Sequence, residues 1–295
     1  MSAGAASMEG KVCVVTGATA GIGKETALAL ARMGATVVIV ARDAAKSART
    51  VDEIEQAVPG AKVDVVLADF ASLAAVRAAA EEIGKRYRAV HVLVNNAGTA
   101  NKLRTLTVDG YEQIFAVNHL APFLFTRELM PLLRAGAPSR IVNVASVAER
   151  NNPIDFDDLQ SEKNYGGFRA YGKSKLANVM FTYELAARLA GTGVTANCLH
   201  PGAVATDMLK KIPWLLYALI SPFLLTPAQG AATQVFLASS PQVEGVSGGY
   251  YVKSAAARSS PRSYDVSART RLWEVSESLV DAALSSNSAD NIQTT

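Results

Sequence analysis

Cysteine and histidine are scarce in this chain, two of the first and three of the second among 295 residues. Cys13 and Cys198 fall inside β-rich apolar runs, with no partner at metal-ligand spacing. That excludes a disulfide framework and predicts two small core residues in a reduced, cytoplasmic compartment. Asp155, Asp157 and Asp158 sit close together but no histidine accompanies them, so they read as a solvated acidic loop and no metal is expected. Charge of one sign is lacking too. Lys and Arg number 29 against 26 Asp and Glu, a net charge of +3, without the basic run that follows a phosphate backbone, so nucleic acid is not an expected partner. Long apolar runs are missing as well. The longest one away from the strands, 212–225, is broken by Pro213 and Pro222 and is too short to span a bilayer. As an interfacial patch it is the one membrane contact left open. Residues 1–10 show neither a basic n-region nor an apolar h-region, so secretion is not expected.

About half of the residues, 49%, are apolar, enough for one large core. Short β-branched runs at 12–16, 36–40, 63–67, 90–94, 140–144 and 195–199 alternate with Ala-, Leu- and Glu-rich helical stretches. The runs are apolar almost throughout, as in strands covered on both faces. The fold class that follows is α/β, a doubly wound parallel sheet of Rossmann type in a single domain over 11–284. Residues 1–10 form an N-terminal extension. Residues 285–295, polar and without apolar periodicity, are expected to be a frayed, disordered tail. Gly34, the pair Pro59-Gly60 and Gly136 mark helix ends, the last closing a long helix expected to begin near Asp109.

Directly after the first strand stand Gly17, Ala18, Thr19, Ala20, Gly21, Ile22 and Gly23, followed by a helix expected from near Lys24. Glycines at this place let the backbone turn tightly and approach a pyrophosphate, whose charge meets the unpaired N–H groups of a helix N-terminus. The strand before and the helix after separate this loop from an ordinary tight turn. The second strand ends in Ala41-Arg42 rather than in an acidic residue. A guanidinium there suits a 2′-phosphate and predicts NADP(H), while Asp43 beside it keeps NAD(H) open. Asp69, with Phe70 after it, ends the third strand and is placed to reach an adenine. The fourth strand runs into Asn95-Asn96-Ala97-Gly98, where Gly98 leaves room in the crevice and the side-chain amides can bridge strand ends.

Tyr171 and Lys175 stand four apart at the opening of a helix, which puts a hydroxyl and an ammonium on one face. A nearby cation favours a phenolate and lowers a pKa near 10 toward the range useful for proton transfer. The strand ending at Ser146 precedes them.

These segments, taken in order, resemble the short-chain dehydrogenase/reductase family, over nearly the whole of 11–284. By that resemblance Ser146 holds the substrate oxygen and Tyr171 exchanges its proton as general acid and base. Lys175 binds the nicotinamide ribose and tunes Tyr171, and Asn118 fixes a water leading to Lys175. Pro201, Gly202, Val204 and Thr206 resemble the stretch that contacts the nicotinamide carboxamide. The cofactor contacts so implied are Gly17, Thr19, Ala20, Gly21, Ile22, Gly23, Arg42, Asp69, Phe70, Asn96, Ala97, Gly98, Tyr171 and Lys175 with those four. Gly21 to Ala27, Ala41 to Asp43, Tyr171 to Asn178, His200 to Gly202 and Gly245 to Tyr251 are similar to the retinol dehydrogenase-like branch, which implies NADP(H) and a lipophilic alcohol, aldehyde or ketone. An apolar substrate lid is implied around 205–226. The family's habit of pairing two helices, here 109–134 and 171–190, between subunits implies a homodimer or homotetramer. His119 and His200 read as structural and His91 as a surface residue at a strand entry. The competing reading is a catalytically idle protein that binds NADP(H) and senses its redox state.

Overall fold

The computed structural model describes residues 7–204 and 224–293, with side chains described as far as 286. Eight strands form one sheet in the order β3-β2-β1-β4-β5-β6-β7-β8. They are β1 (Val12–Thr16), β2 (Thr36–Ala41), β3 (Lys62–Leu67), β4 (Val92–Asn95), β5 (Ser139–Val144), β6 (Val194–His200), β7 (Tyr250–Val252) and β8 (Ala255–Ala257). All neighbours run parallel except β7 and β8, which form an antiparallel edge. The first six match the apolar runs within two residues at each end. The last two, three residues each, were not expected.

The helices are α1 (Gly21–Arg32), α2 (Ala44–Ala57), α3 (Leu73–Arg86), α4 (Gln113–Phe115), α5 (Ala121–Ala135), α6 (Gly167–Arg188), α7 (Pro227–Ser239) and α8 (Val266–Gln293). One face of the sheet buries Leu30, Ile54 and Leu237 from α1, α2 and α7. The other buries Ile83, Leu129, Leu176 and Val280 from α3, α5, α6 and α8. Packing on both faces explains the near-continuous apolar strands. The reversal of strand order between β1 and β4 opens a crevice at the carboxyl ends of these strands, where such sheets bind ligands.

Two helices differ from expectation. The long helix does not begin near Asp109, because Gly110 takes φ +80° and the Glu112 carboxylate caps the amides of Ile114 and Phe115 instead. The segment expected to fray is helical as far as Gln293. Nothing in 266–293 breaks a helix, neither glycine nor proline, and Ser285 donates back to Asp281 O at 2.9 Å. This last helix lies over α5 and α6. Trp273 meets Phe123 edge-on at 4.9 Å and stacks on Phe181 at 5.8 Å. Phe123 of α5 and Phe181 of α6 are thus covered from within the chain. No helix among the described residues is long and apolar enough to cross a membrane.

Candidate active site

The glycine loop is built from beneath. Thr16, fully buried at the end of β1, accepts the amides of Asn96 and Ala97 at 3.0 and 2.9 Å. The Asn96 amide donates to Thr16 O at 2.8 Å and Gly17 O at 3.2 Å. Gly17 has φ +66°, and a Cβ there would lie 2.9 Å from the Ala97 α-carbon. At Gly23 a Cβ would stand 2.3 Å from the Asn96 amide nitrogen and 2.5 Å from Gly17 O. Both positions thus require glycine for space. Asn96 in turn accepts from Gln234 of α7 at 3.2 Å, and Gln234 accepts from Thr26 of α1 at 2.9 Å. Sequence reading missed Thr26 and Gln234, since their tie spans 208 residues.

Helix α1 starts at Gly21 rather than Lys24, and its N-terminus is bare. Ala20 offers no capping side chain and no acid occupies the first turn. By contrast Asp43 caps α2 and Ser72 caps α3. The first amides of α1 are thereby left to an anion, which fits the pyrophosphate of a dinucleotide. At the end of β2, Arg42 is exposed, while the Asp43 carboxylate accepts from Lys46 N at 2.9 Å. Asp69 is exposed at the end of β3. The Phe70 side chain is buried against Phe125 at 5.6 Å, so Phe70 can reach a cofactor only through its backbone.

Asn118, Ser146, Tyr171 and Lys175 converge at the carboxyl ends of β4 and β5. Asn118 sits on a π-helical turn, Ala116–Leu120, where the Ala121 amide reaches back to Ala116 O. The extra residue turns the Asn118 side chain into the crevice, as single π turns at functional sites do. Its amide donates to Thr99 O and to Ser174 Oγ, each at 3.0 Å, and its oxygen accepts from Thr99 N at 2.7 Å. Ser146 follows β5 and opens a short 3₁₀ turn, Val147–Asn151. Its hydroxyl accepts from Ala148 N at 3.3 Å and stands close enough to Tyr171 to pull the phenol pKa down. Tyr171 lies on the second turn of α6, not at its start. Lys175 Nζ is 5.6 Å from the Tyr171 ring centre and donates to Val144 O at 2.9 Å. A Cβ on Gly98 would lie 3.3 Å from Asn118 Oδ1 and 3.6 Å from Lys175 Nζ, so glycine keeps this approach open.

Burial governs the titration of Tyr171 and Lys175 alike. It pushes the Tyr171 phenol above its ordinary value, against a smaller downward pull from Ser146. It brings Lys175 down to about 8. The lowering of Tyr171 expected from the i, i+4 spacing is not found in the chain itself, because the ammonium turns to a backbone carbonyl rather than to the phenol.

The loop between Ser146 and Tyr171 is not a freely solvated rim. Lys173, 5% exposed, donates to Asp158 O, Leu159 O and Ser161 Oγ at 2.7–3.0 Å and clamps the loop onto α6. Glu149, fully buried, accepts from Ser260 N. The aspartates serve turns: Asp155 accepts from Asp157 N and Asp158 from Glu162 N. Gly202 has φ +92°, and Val204 and Ile22 both close over Gly230, where a Cβ would lie 2.5 and 2.7 Å from their methyl carbons. Thr206 and most of the expected lid lie outside the described residues. His91 accepts from Val12 N at 3.0 Å, and His200 accepts from Val147 N at 3.3 Å. Cys13 and Cys198 are buried, and burial pushes each thiol up to about 12.

Residues 11–214 match the family profile of the short chain dehydrogenases. Over 289 residues the chain is 43% identical to retinol dehydrogenase 14 of Mus musculus, covering 92% of this chain and 86% of that protein. Among solved structures it is similar to an uncharacterized protein from Mycobacterium paratuberculosis, with TM-score 0.77, 31% identity, and 95% and 96% of the two chains covered. It is also similar to the NADP active-site complex of RhlG from Pseudomonas aeruginosa, with TM-score 0.68, 30% identity, and 83% and 94% covered.

Proposed function

Since the chain belongs to the short-chain dehydrogenase family and is similar to retinol dehydrogenases, we propose that it transfers a hydride between NADP(H) and a lipophilic alcohol, aldehyde or ketone, with Tyr171 as general acid and base. The observation that carries the reading is the convergence of Ser146, Tyr171 and Lys175, with the Lys175 ammonium 5.6 Å from the Tyr171 ring centre and Ser146 near enough to pull the phenol pKa down. When bound, the cofactor supplies or takes up the hydride. In the reducing direction Ser146 and Tyr171 hold the carbonyl oxygen together, and the Tyr171 hydroxyl gives it a proton as the alcohol forms. Lys175 orients the nicotinamide ribose and adds its charge next to the phenol, while Asn118 keeps the Thr99 backbone and α6 in register.

Preference for the 2′-phosphate rests on Arg42, which is exposed, and on Asp43, whose carboxylate is already engaged in capping α2. A lipophilic substrate is supported by apolar groups at the rim. Val147, next to Ser146, is 50% exposed and Phe168, three residues before Tyr171, is 72% exposed. Gly167 lies directly on the backbone of Asn101 and Lys102, which joins Phe168 to the segment bearing Leu103, 77% exposed.

Tyr171→Phe tests the mechanism, as it deletes the hydroxyl and keeps the ring. NADPH oxidation, followed across a panel of aldehydes and ketones, should fall by about a hundredfold or more while NADPH affinity holds. Wild-type turnover in this variant, with an isotope effect showing hydride transfer to be rate-limiting, would refute the assignment.

A further inference from the structure

His119 follows Asn118 on the π-helical turn, yet its ring is turned away from the crevice into the core. Phe115, Phe123 and Phe181 surround it at 5.1, 6.4 and 6.1 Å. A plain apolar residue would fill such a pocket, but the ring has a polar partner. Nε2 is 2.8 Å from Ser276 Oγ on α8. On the other side His119 Nδ1 and Asn178 Oδ1 of α6 are both buried without a hydrogen-bond partner among the described residues. The Ser276 hydroxyl donates to Leu272 O at 2.7 Å, which leaves its oxygen to accept from His119 Nε2–H. The Asn178 amide faces Val144 O at 3.5 Å, and that carbonyl is also the acceptor of Lys175 Nζ. Tyr111, ahead of the same turn, donates to Leu279 O of α8 at 2.8 Å.

We propose that α8 belongs to the catalytic apparatus at one remove: Ser276 holds His119, and His119 positions the turn of Asn118. The inference rests on the dehydrogenase reading for its effect on turnover. His119 and Ser276 are positioning residues and touch neither substrate nor cofactor. Burial lowers the His119 pKa to about 4, so the ring stays neutral and keeps one donor and one acceptor across the physiological range.

Ser276→Ala in the full chain is the mild test, since alanine is the better helix former and the fold is kept. Amide exchange at 116–120, read without cofactor, should quicken by about tenfold while exchange in β1 and β4 is unchanged. The kcat should fall by roughly threefold to tenfold, with KM for NADPH within about twofold. His119→Phe, which keeps the ring volume and loses the hydrogen bond to Ser276, should lose more. His119→Gln, whose amide reaches the Nε2 position, should recover part. Unchanged exchange at 116–120 in both Ser276→Ala and His119→Phe overturns the positioning whatever turnover does, and so does faster exchange with wild-type kcat. If Tyr171→Phe keeps full turnover while Ser276→Ala still loosens 116–120, the dehydrogenase reading falls and the hold of α8 on the turn stands.

Discussion

Replacing Lys175 with methionine should make the protein more stable while removing its activity. The ammonium is buried, and burial brings its pKa from an ordinary 10.5 to about 8. At neutral pH the folded chain nevertheless keeps the charge, against a cost of about 3 kcal/mol set by that difference. Methionine fills a similar volume without the charge, but it leaves Val144 O without its 2.9 Å donor, a loss of about 1 kcal/mol. The net gain, about 2 kcal/mol, corresponds to a rise in Tm of about 4 °C for a chain of this size. Its pH dependence follows from linkage. Between about 8 and 10.5 the unfolded chain holds the proton and the folded one does not, so wild-type stability climbs with pH through that window. The variant has no such group and stays flat. Thermal melts of both proteins without cofactor, at pH 7 and pH 10, should show the 4 °C advantage shrinking to about zero. A Lys175→Met protein that melts at or below wild type at pH 7, or whose advantage does not change with pH, would refute the reasoning.

Arg42→Ala should raise KM for NADPH by about tenfold or more and leave KM for NADH nearly unchanged, because only the former offers a phosphate. Equal loss with both would remove the case for NADP(H). Asn96→Ala deletes the amide beneath Thr16 O and Gly17 O and leaves the buried Gln234 without its acceptor. It should cost about 2 kcal/mol in denaturant melts and weaken NADPH binding by about tenfold in a fluorescence titration. Affinity at the wild-type level would mean that the loop holds its shape without this tie.

What the sequence made legible was local. The apolar runs fix β1 to β6 because strands covered on both faces need no other signal, and Gly17, Gly21 and Gly23 announce the loop because few other uses explain their spacing after a strand. Ser146, Tyr171 and Lys175 stand on two neighbouring elements, so order along the chain already brings them close. The unread parts depend on distance. Strand β8, three exposed alanines, has no hydrophobic pattern, and only its pairing with β7 makes it a strand. The π turn at Asn118 carries no sequence mark. Lys173 reads as a surface cation on α6 until the loop 158–161 is folded over it. Composition alone made 285–293 look frayed, whereas a helix without glycine or proline simply continues from an anchored start.

The placement of α8 bears on how the chain is made. His119 and Ser276 are 157 residues apart, and Phe123 and Phe181 wait for Trp273. During synthesis the glycine loop and the segments bearing Asn118, Ser146, Tyr171 and Lys175 emerge before α8, while α5 and α6 still show bare apolar flanks, the kind of surface that chaperones and proteases recognise. Helix α8 covers them. A transcript cut short before α8 would encode Asn118, Ser146, Tyr171 and Lys175 and still leave those flanks of α5 and α6 bare.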